Sequence, residues 1–437
     1  MQRWIYWIRW LCDTDLRFAI CDLREQLYQK WYFTICATQR SRVEINLVTV
    51  HPAPALPQIC DTLARWLNAA EPSPSPDWPS DAWETVQLAC RVHGVAPLLH
   101  EYLRGGNWVT PAMQEWLAEQ YDFNARRVAK MHGELKTILA LLHQNNVSVI
   151  PLKGSVASVE LYADAGWRPM ADLDLLIHAA DFEQAGRLLS QLGYKQDIAH
   201  WKHTEFSRPE NRRVISATCE HPDNPRKLEI HLHCRESFGG ALVDITNMMW
   251  SNSFKGELLG EPTVRVTPEI FWLHLLVHNG YHLWQGTARL IHLVDIARLL
   301  PRLNTPLEPL NAVDARFTYP ALVMLNKYFP SGVSAELAEN QHGRVSAKFR
   351  QWADSLDLVN SSYLNPASPG LYMGKALRFA EGRPGEIARA LRLALLPNLQ
   401  EMALDHPRLA RSKAPWLAYF LLPVDWAKRS IATRKFR

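Results

Sequence analysis

Apolar residues recur at three- and four-residue spacing through WETVQLACRVHGVAPLLHEYL and then MQEWLAEQYDFNARRVAKMHGELKTILALLHQNN, which predicts amphipathic helix from about Trp83 onward. Asn145-Asn146 is a natural helix stop, and VSVIPL after it has the short, apolar pattern of a buried strand. The period then switches repeatedly, predicting helix over 155–163, strand over 173–178, helix over 181–192 and a β-rich stretch over 202–234. Beyond Asp244 the spacing is helical again, most clearly in TPEIFWLHLLVHNGYHLW and ARLIHLVDIARLLPRL, with Thr267-Pro268-Glu269 as a helix start. NPASPG and EGRPGE read as loops inside this region.

These patterns predict an α+β chain dominated by helix. A small mixed β-sheet core over 146–240 follows a helical preface, 81–145, and precedes a larger helical C-terminal domain, 241–437. The Pro/Ser stretch AEPSPSPDWPS at 70–80 predicts a linker, which sets off residues 1–80 as an N-terminal extension. That extension is aromatic, holding four of the 17 tryptophans in its first 31 residues. A chain of 437 residues exceeds what one growing hydrophobic core accommodates, so several packed units are expected.

Composition narrows the class. With 47% hydrophobic and 21% charged residues the chain is neither disordered nor an integral membrane protein, and the longest apolar run, PWLAYFLLPV at 415–424, is short and carries two prolines. Seven cysteines without CxxC spacing fit a reducing compartment, so a cytoplasmic protein is expected. A net charge of +4 does not indicate nucleic-acid binding, which stays open; the basic tail Lys428, Arg429, Arg434, Lys435 and Arg437 reads as a solvated terminus.

Candidate chemistry concentrates in VIPLKGSVASVELYADAGWRPMADLDLLI, residues 149–177. In a strand alternate side chains share a face, so Asp172 and Asp174 lie together while Leu173, Leu175 and Ile177 lie opposite. Two such carboxylates repel unless a cation, a salt bridge or water takes up their charge. KLEIHLHCR alternates in the same way and puts Glu229, His231 and His233 on one face, so a neighbouring strand could bring Glu229 beside the two aspartates. Lys153-Gly154-Ser155 joins a strand to a helix, where a glycine lets backbone approach a phosphate and Lys153 and Ser155 add donors. Arg168 precedes the acidic strand and is expected to face triphosphate, the alternative being a pair with Asp172 or Asp174. His274, His278 and His282 recur every four residues, with Gly280 interrupting the helix between two of them and Asp295 beyond. This stripe reads either as packing over a cleft, with His231, His278 or Asp295 as accessory groups, or as metal ligands.

The order Leu152-Lys153-Gly154, a helix with Tyr162, Arg168-x3-Asp172-x-Asp174-Leu-Leu-Ile and an acid-x-His strand resembles the uncharacterised nucleotidyltransferase family of the polymerase-beta-like superfamily. The likeness runs from the LACRVHGVAPLL helix to the helix with Asp295. It departs in the sixteen residues between Ser155 and Asp172 and in Glu229, where aspartate is usual. The resemblance implies transfer of a nucleoside monophosphate from an NTP with Mg2+ or Mn2+, two ions, as cofactor. It implies phosphate binding by Gly154 and Ser155 and metal binding and catalysis by Asp172, Asp174 and Glu229. It leaves the acceptor open among a small molecule, a peptide, a protein and a tRNA. Two other classes remain: a non-catalytic descendant that binds nucleotide or a partner, and a metal hydrolase ligated by His231, His233 and the 274–282 stripe.

Overall fold

The computed structural model describes residues 55–68, 82–199, 202–216, 220–330, 333–365, 372–395 and Trp416. The tryptophan-rich segment, the 70–80 linker, Cys219, the basic tail and, apart from Trp416, the apolar run at 415–424 lie outside the described residues. Three helices, α1 (Ala55–Asn68), α2 (Ala82–His93) and α3 (Ala96–Leu103), precede a 34-residue helix, α4 (Pro111–Gln144). Thr110 caps α4 through its side chain and Pro111 occupies the first turn; at the other end Asn146 takes φ 58°, so the expected asparagine stop is where the helix ends.

The core follows as β1 (Val149–Pro151), α5 (Lys153–Glu160), β2 (Asp172–Ile177), α6 (Phe182–Gln191), β3 (Lys195–Ala199), β4 (His203–Ser207) and β5 (Lys227–His231). These strands form one mixed sheet in the order β1-β2-β5-β4-β3, with β2 and β5 parallel and the other neighbouring pairs antiparallel. Two hairpins come next, β6 (Arg235–Phe238) with β7 (Ala241–Asp244) and, after α7 (Thr246–Ser251), β8 (Ser253–Leu258) with β9 (Glu261–Val266). The remaining described helices are α8 (Pro268–Gln285), α9 (Leu290–Leu299), α10 (Leu307–Asn311), α11 (Tyr319–Tyr328), α12 (Ala335–Gly343), α13 (Ala347–Asp354), α14 (Tyr372–Ala380) and α15 (Pro384–Leu395). Helix makes up 60% and strand 14%, so the expected α+β class with dominant helix is what forms.

The second hairpin departs from the helical reading beyond Asp244. Its turn residues Leu259 and Gly260 both take positive φ, 56° and 76°, which joins two strands tightly and is incompatible with continued helix. Gly280 departs in the other direction: α8 runs through it unbroken, and a Cβ there would fall on the carbonyl oxygen of Phe317. The glycine serves close approach, not interruption.

Alternation sorts the sheet into two faces. Leu173, Leu175 and Ile177 of β2 and Leu228 and Ile230 of β5 are buried in one cluster with Val128, Met131, Leu135 and Ile138 of α4 and Leu188 and Leu189 of α6. A second, larger core unites α1 to α3 with α8, α9, α11 and α14, so helices from both sides of the sheet region share it. The opposite sheet face, with Asp172, Asp174, Glu229 and His231, is left to polar chemistry.

Parallel pairing of β2 with β5 is fastened at its entrance by Arg127 of α4, which is 1% exposed. Its guanidinium donates to the carbonyls of Met170 (3.0 Å) and Ala171 (2.9 Å), just before β2, and of Asn224 (3.0 Å) and Pro225 (2.9 Å), just before β5. Glu134, farther along α4, accepts from Arg226 at 3.0 Å. Loss of the Arg127 head takes a donor from the carbonyls of Met170, Ala171 and Pro225, while Asn224 keeps Asn211 Nδ2 at 3.3 Å, at about 1–3 kcal/mol for each left bare. Arg127→Met is therefore expected to lower unfolding free energy by at least about 3 kcal/mol in urea titration, with Arg127→Lys intermediate. A change below about 0.5 kcal/mol would contradict this role.

Candidate active site

In β2 and β5 the register sets Asp174 directly opposite Glu229, and Leu173 opposite Leu228. Neighbouring strands stand about 4.8 Å apart, so the two carboxylates leave adjacent backbone positions on the same face. Asp172 occupies that face two residues earlier; it is half-buried, whereas Asp174 and Glu229 are 2% and 8% exposed. The backbone amide of Leu152 donates to the Asp174 carbonyl at 2.9 Å, and the Asp174 amide donates to Ser155 Oγ at 3.0 Å. The start of α5 is thus stitched to the middle of β2.

That stitching delivers Lys153 to the acids. Its Nζ lies 2.6 Å from Asp174 Oδ1, and its backbone is held in the left-handed region at φ 45°, a conformation costing on the order of 1 kcal/mol for a residue with a Cβ. His231 Nε2 is 2.9 Å from the same Asp174 oxygen and 3.4 Å from Glu229 Oε2. Across β4, His203 pairs with His231 in register and sets Nδ1 3.3 Å from Glu229 Oε2. Glu205 sits opposite Glu229 and accepts from Lys227 at 2.9 Å.

Burial by itself would push the Asp174 carboxyl up, but the Lys153 ammonium and the His231 hydrogen bond outweigh it and hold it well below the usual carboxylate range. Glu229 follows the same logic: burial raises it, His203 and His231 lower it against the repulsion of Asp174, and it ends below its ordinary value. Burial would lower Lys153, yet Asp174, Glu229 and Asp172, in that order, raise it. All three acids therefore act on one ammonium, which is in direct contact with Asp174. An oxygen-only trio on one sheet face, already organised around a positive charge, suits a hard divalent ion.

Above this face lies α8. Burial, then Lys153, brings His274 down to about 3, and burial, then Lys202, brings His282 down to about 3. Burial, followed by His282, lowers His278 and His292 well below the ordinary histidine value. The stripe is thus uncharged imidazole at neutral pH. His278 Nδ1 meets Glu236 Oε1 at 3.0 Å, which Lys202 also reaches at 2.6 Å, and His278 Nε2 meets His282 Nε2 at 3.1 Å. His278 and His282 are therefore linked by a hydrogen bond, while His274 meets His278 only through a ring contact, and among the described residues the group of three ligating side chains that comes together is His203, Glu229 and His231 instead.

The remaining residues singled out by sequence go elsewhere. Arg168, expected toward phosphate or the β2 aspartates, is 7% exposed and clasps Asp295 of α9, with Nη2 at 2.6 Å and Nε at 3.0 Å from its oxygens. Tyr162 donates to the same carboxylate at 2.7 Å. Gly154 packs against Met170, where a Cβ would lie 3.2 Å from Met170 Cγ, tighter than an ordinary contact. Ser155, fully buried, is spent on the β2 backbone. So the structure gathers Lys153, Ser155, Asp172, Asp174, Glu229 and His231, and sends Arg168 and Asp295 to a separate buried pair. His203, Glu205 and Arg127 escape the sequence reading. HTEFS does alternate, which puts His203 and Glu205 on one face, but the register that sets them beside His231 and Glu229 is non-local.

No curated protein matches the chain. Among solved structures, an antigenic nucleotidyltransferase-like protein from Paracoccidioides brasiliensis is similar over 50% of this chain and 94% of its own, with 14% identity and a TM-score of 0.31, a likeness too slight to argue from. Residues 79–317, more than half of the chain and spanning the preface, the sheet and α8 to α9, match the family described as uncharacterised nucleotidyltransferase. The chain carrying this acidic sheet face belongs to that uncharacterised nucleotidyltransferase family.

Proposed function

We propose that the protein is a metal-dependent nucleotidyltransferase that moves a nucleoside monophosphate from an NTP to an acceptor hydroxyl or amine. The observation that carries this reading is the pairing of Asp174 with Glu229, with Asp172 on the same face and a single ammonium among the three. Asp172, Asp174 and Glu229 are the residues to hold Mg2+ or Mn2+. When bound, such an ion neutralises phosphate charge and acidifies an attacking hydroxyl.

The chain's own groups have separable tasks. Lys153 keeps the acids ionised and supplies positive charge at the mouth of the α5 turn, where a triphosphate is the natural anion. His231 orients Asp174, and in this reading Glu229 helps to deprotonate the nucleophile. The neutral imidazoles of α8 cover the face without adding charge that would compete for the acids. The acceptor class stays as broad as a small molecule, peptide, protein or tRNA. With no helix among the described residues long and apolar enough to cross a membrane, the reading asks for no membrane-spanning part there.

Transfer of label from α-labelled ATP, CTP, GTP or UTP to a cell extract, with Mg2+ or Mn2+, tests it directly. Asp172→Asn and Asp174→Asn are each expected to lower incorporation by at least about a thousandfold, about 4 kcal/mol of barrier. Equal labelling by wild type and both variants would sink the assignment. The role of Lys153 is checked by acid unfolding followed by tryptophan fluorescence. A carboxyl held low in the fold contributes stability above its unfolded pKa of about 3.9 and loses it as pH falls through the folded value. Lys153→Met raises the folded value of Asp174, so the variant is expected to unfold at higher pH than wild type; coincident acid midpoints would refute the counter-charge role.

A further inference from the structure

At Glu229 the three acids overlap a second donor set of different chemistry. His203 Nδ1 and His231 Nε2 stand 3.3 and 3.4 Å from the same oxygen, Glu229 Oε2, and the ligand atoms of all three residues lie within 4.8 Å of one another. We propose that His203, Glu229 and His231 form a site for a divalent transition-metal ion of the zinc or cobalt type, which shares Glu229 with the oxygen set of the proposed function and differs from it in its two imidazole ligands.

The separations support coordination. Ligand atoms about 2.0–2.1 Å from a tetrahedral zinc stand about 3.4 Å apart along each edge, whereas a charge-assisted N–H···O bond closes to about 2.7–2.9 Å. His231 shows both lengths at once: 2.9 Å to Asp174 Oδ1, a hydrogen bond, and 3.4 Å to Glu229, an edge. The framework is rigid, because His203 and His231 are register partners on antiparallel strands and Glu229 shares the His231 face two residues away. His231 and Glu229 are 2% and 8% exposed, so the side chains are positioned by packing and not by solvent. Behind the site, Glu205 Oε1 faces the outer nitrogen of His203 at 3.9 Å, the side from which a carboxylate commonly orients a metal-bound imidazole. Two imidazoles and one carboxylate select borderline metals over Mg2+ and leave a fourth position open, as in catalytic zinc sites. On binding, the ion takes the place of the proton on His231 Nε2, which leaves to solvent, and the hydrogen bond from that nitrogen to Asp174 Oδ1 is given up.

The site shares Glu229 and His231 with the proposed transferase, but its test reads metal binding and not activity. The full chain, stripped with chelator, is titrated with Co2+ while the visible d–d absorption and the metal content are recorded. Wild type is expected to take up about one Co2+ per chain with a tetrahedral-type spectrum that Zn2+ abolishes. His203→Gln and His231→Gln should lose the band, Glu205→Gln should weaken binding by about 10- to 100-fold, and His278→Ala should leave it unchanged. X-ray absorption of the wild-type zinc form, which needs no variant to fold, should count two imidazoles. Absence of a stoichiometric Co2+ band, persistence of the band in His203→Gln, its loss in His278→Ala, or fewer than two imidazoles on zinc would overturn the proposal. Co2+ binding without label transfer would leave this site standing and remove the transferase; label transfer without Co2+ binding would do the reverse.

Discussion

The parallel register of β2 and β5 is the constraint on which the polar face depends. Asp174 and Glu229 are fifty-five residues apart in the chain and become neighbours because two strand entrances are clamped by one guanidinium from α4. Side chains on strands alternate, so a slip of one residue would send Glu229 to the apolar face and Leu228 to the acids. Arg127 grips two carbonyls before each strand and so sets both their separation and their offset. The length of α4 follows from the same task, since it must pack the apolar side of the sheet and reach its edge.

Around that register the electrostatics are arranged to keep carboxylates charged inside protein. Desolvation opposes ionised Asp174 and Glu229, and the local partners Lys153, His231 and His203 reverse the outcome. The imidazoles of α8 are driven neutral by burial near Lys153 and Lys202, so the cover contributes little positive charge. A face with ionised acids, one close ammonium and neutral imidazoles fits the cation and polyanion of the proposed function. The Arg168–Asp295 pair, with Tyr162, ties the loop before β2 to α9.

Much of this was legible in the residues. The alternation of DLDLLI and KLEIHLH sorted acids from leucines correctly, and the helix start at Pro268 and the stop at Asn146 were visible as local chemistry. Other features were not. Arg168 was read toward triphosphate or its sequence neighbours Asp172 and Asp174, and tertiary packing gives it Asp295 instead. Gly280 looked like an interruption because helical propensity counts a glycine as a cost, while its benefit, room for the Phe317 carbonyl, lies thirty-seven residues away. The β8–β9 hairpin was masked by flanking helical periodicity, although its Leu-Gly turn carried the signal.

The chain by itself determined which side chains share a face, because the strand period of two and the helix period of 3.6 are properties of backbone geometry. It likewise determined the helix-dominated α+β class, through the lengths and order of its periodic segments. Only the tertiary structure decided which faces meet: Asp174 with Glu229, His203 with His231, Arg168 with Asp295. Those pairings are non-local, and they are set by packing and by buried hydrogen bonds whose partners no local pattern specifies.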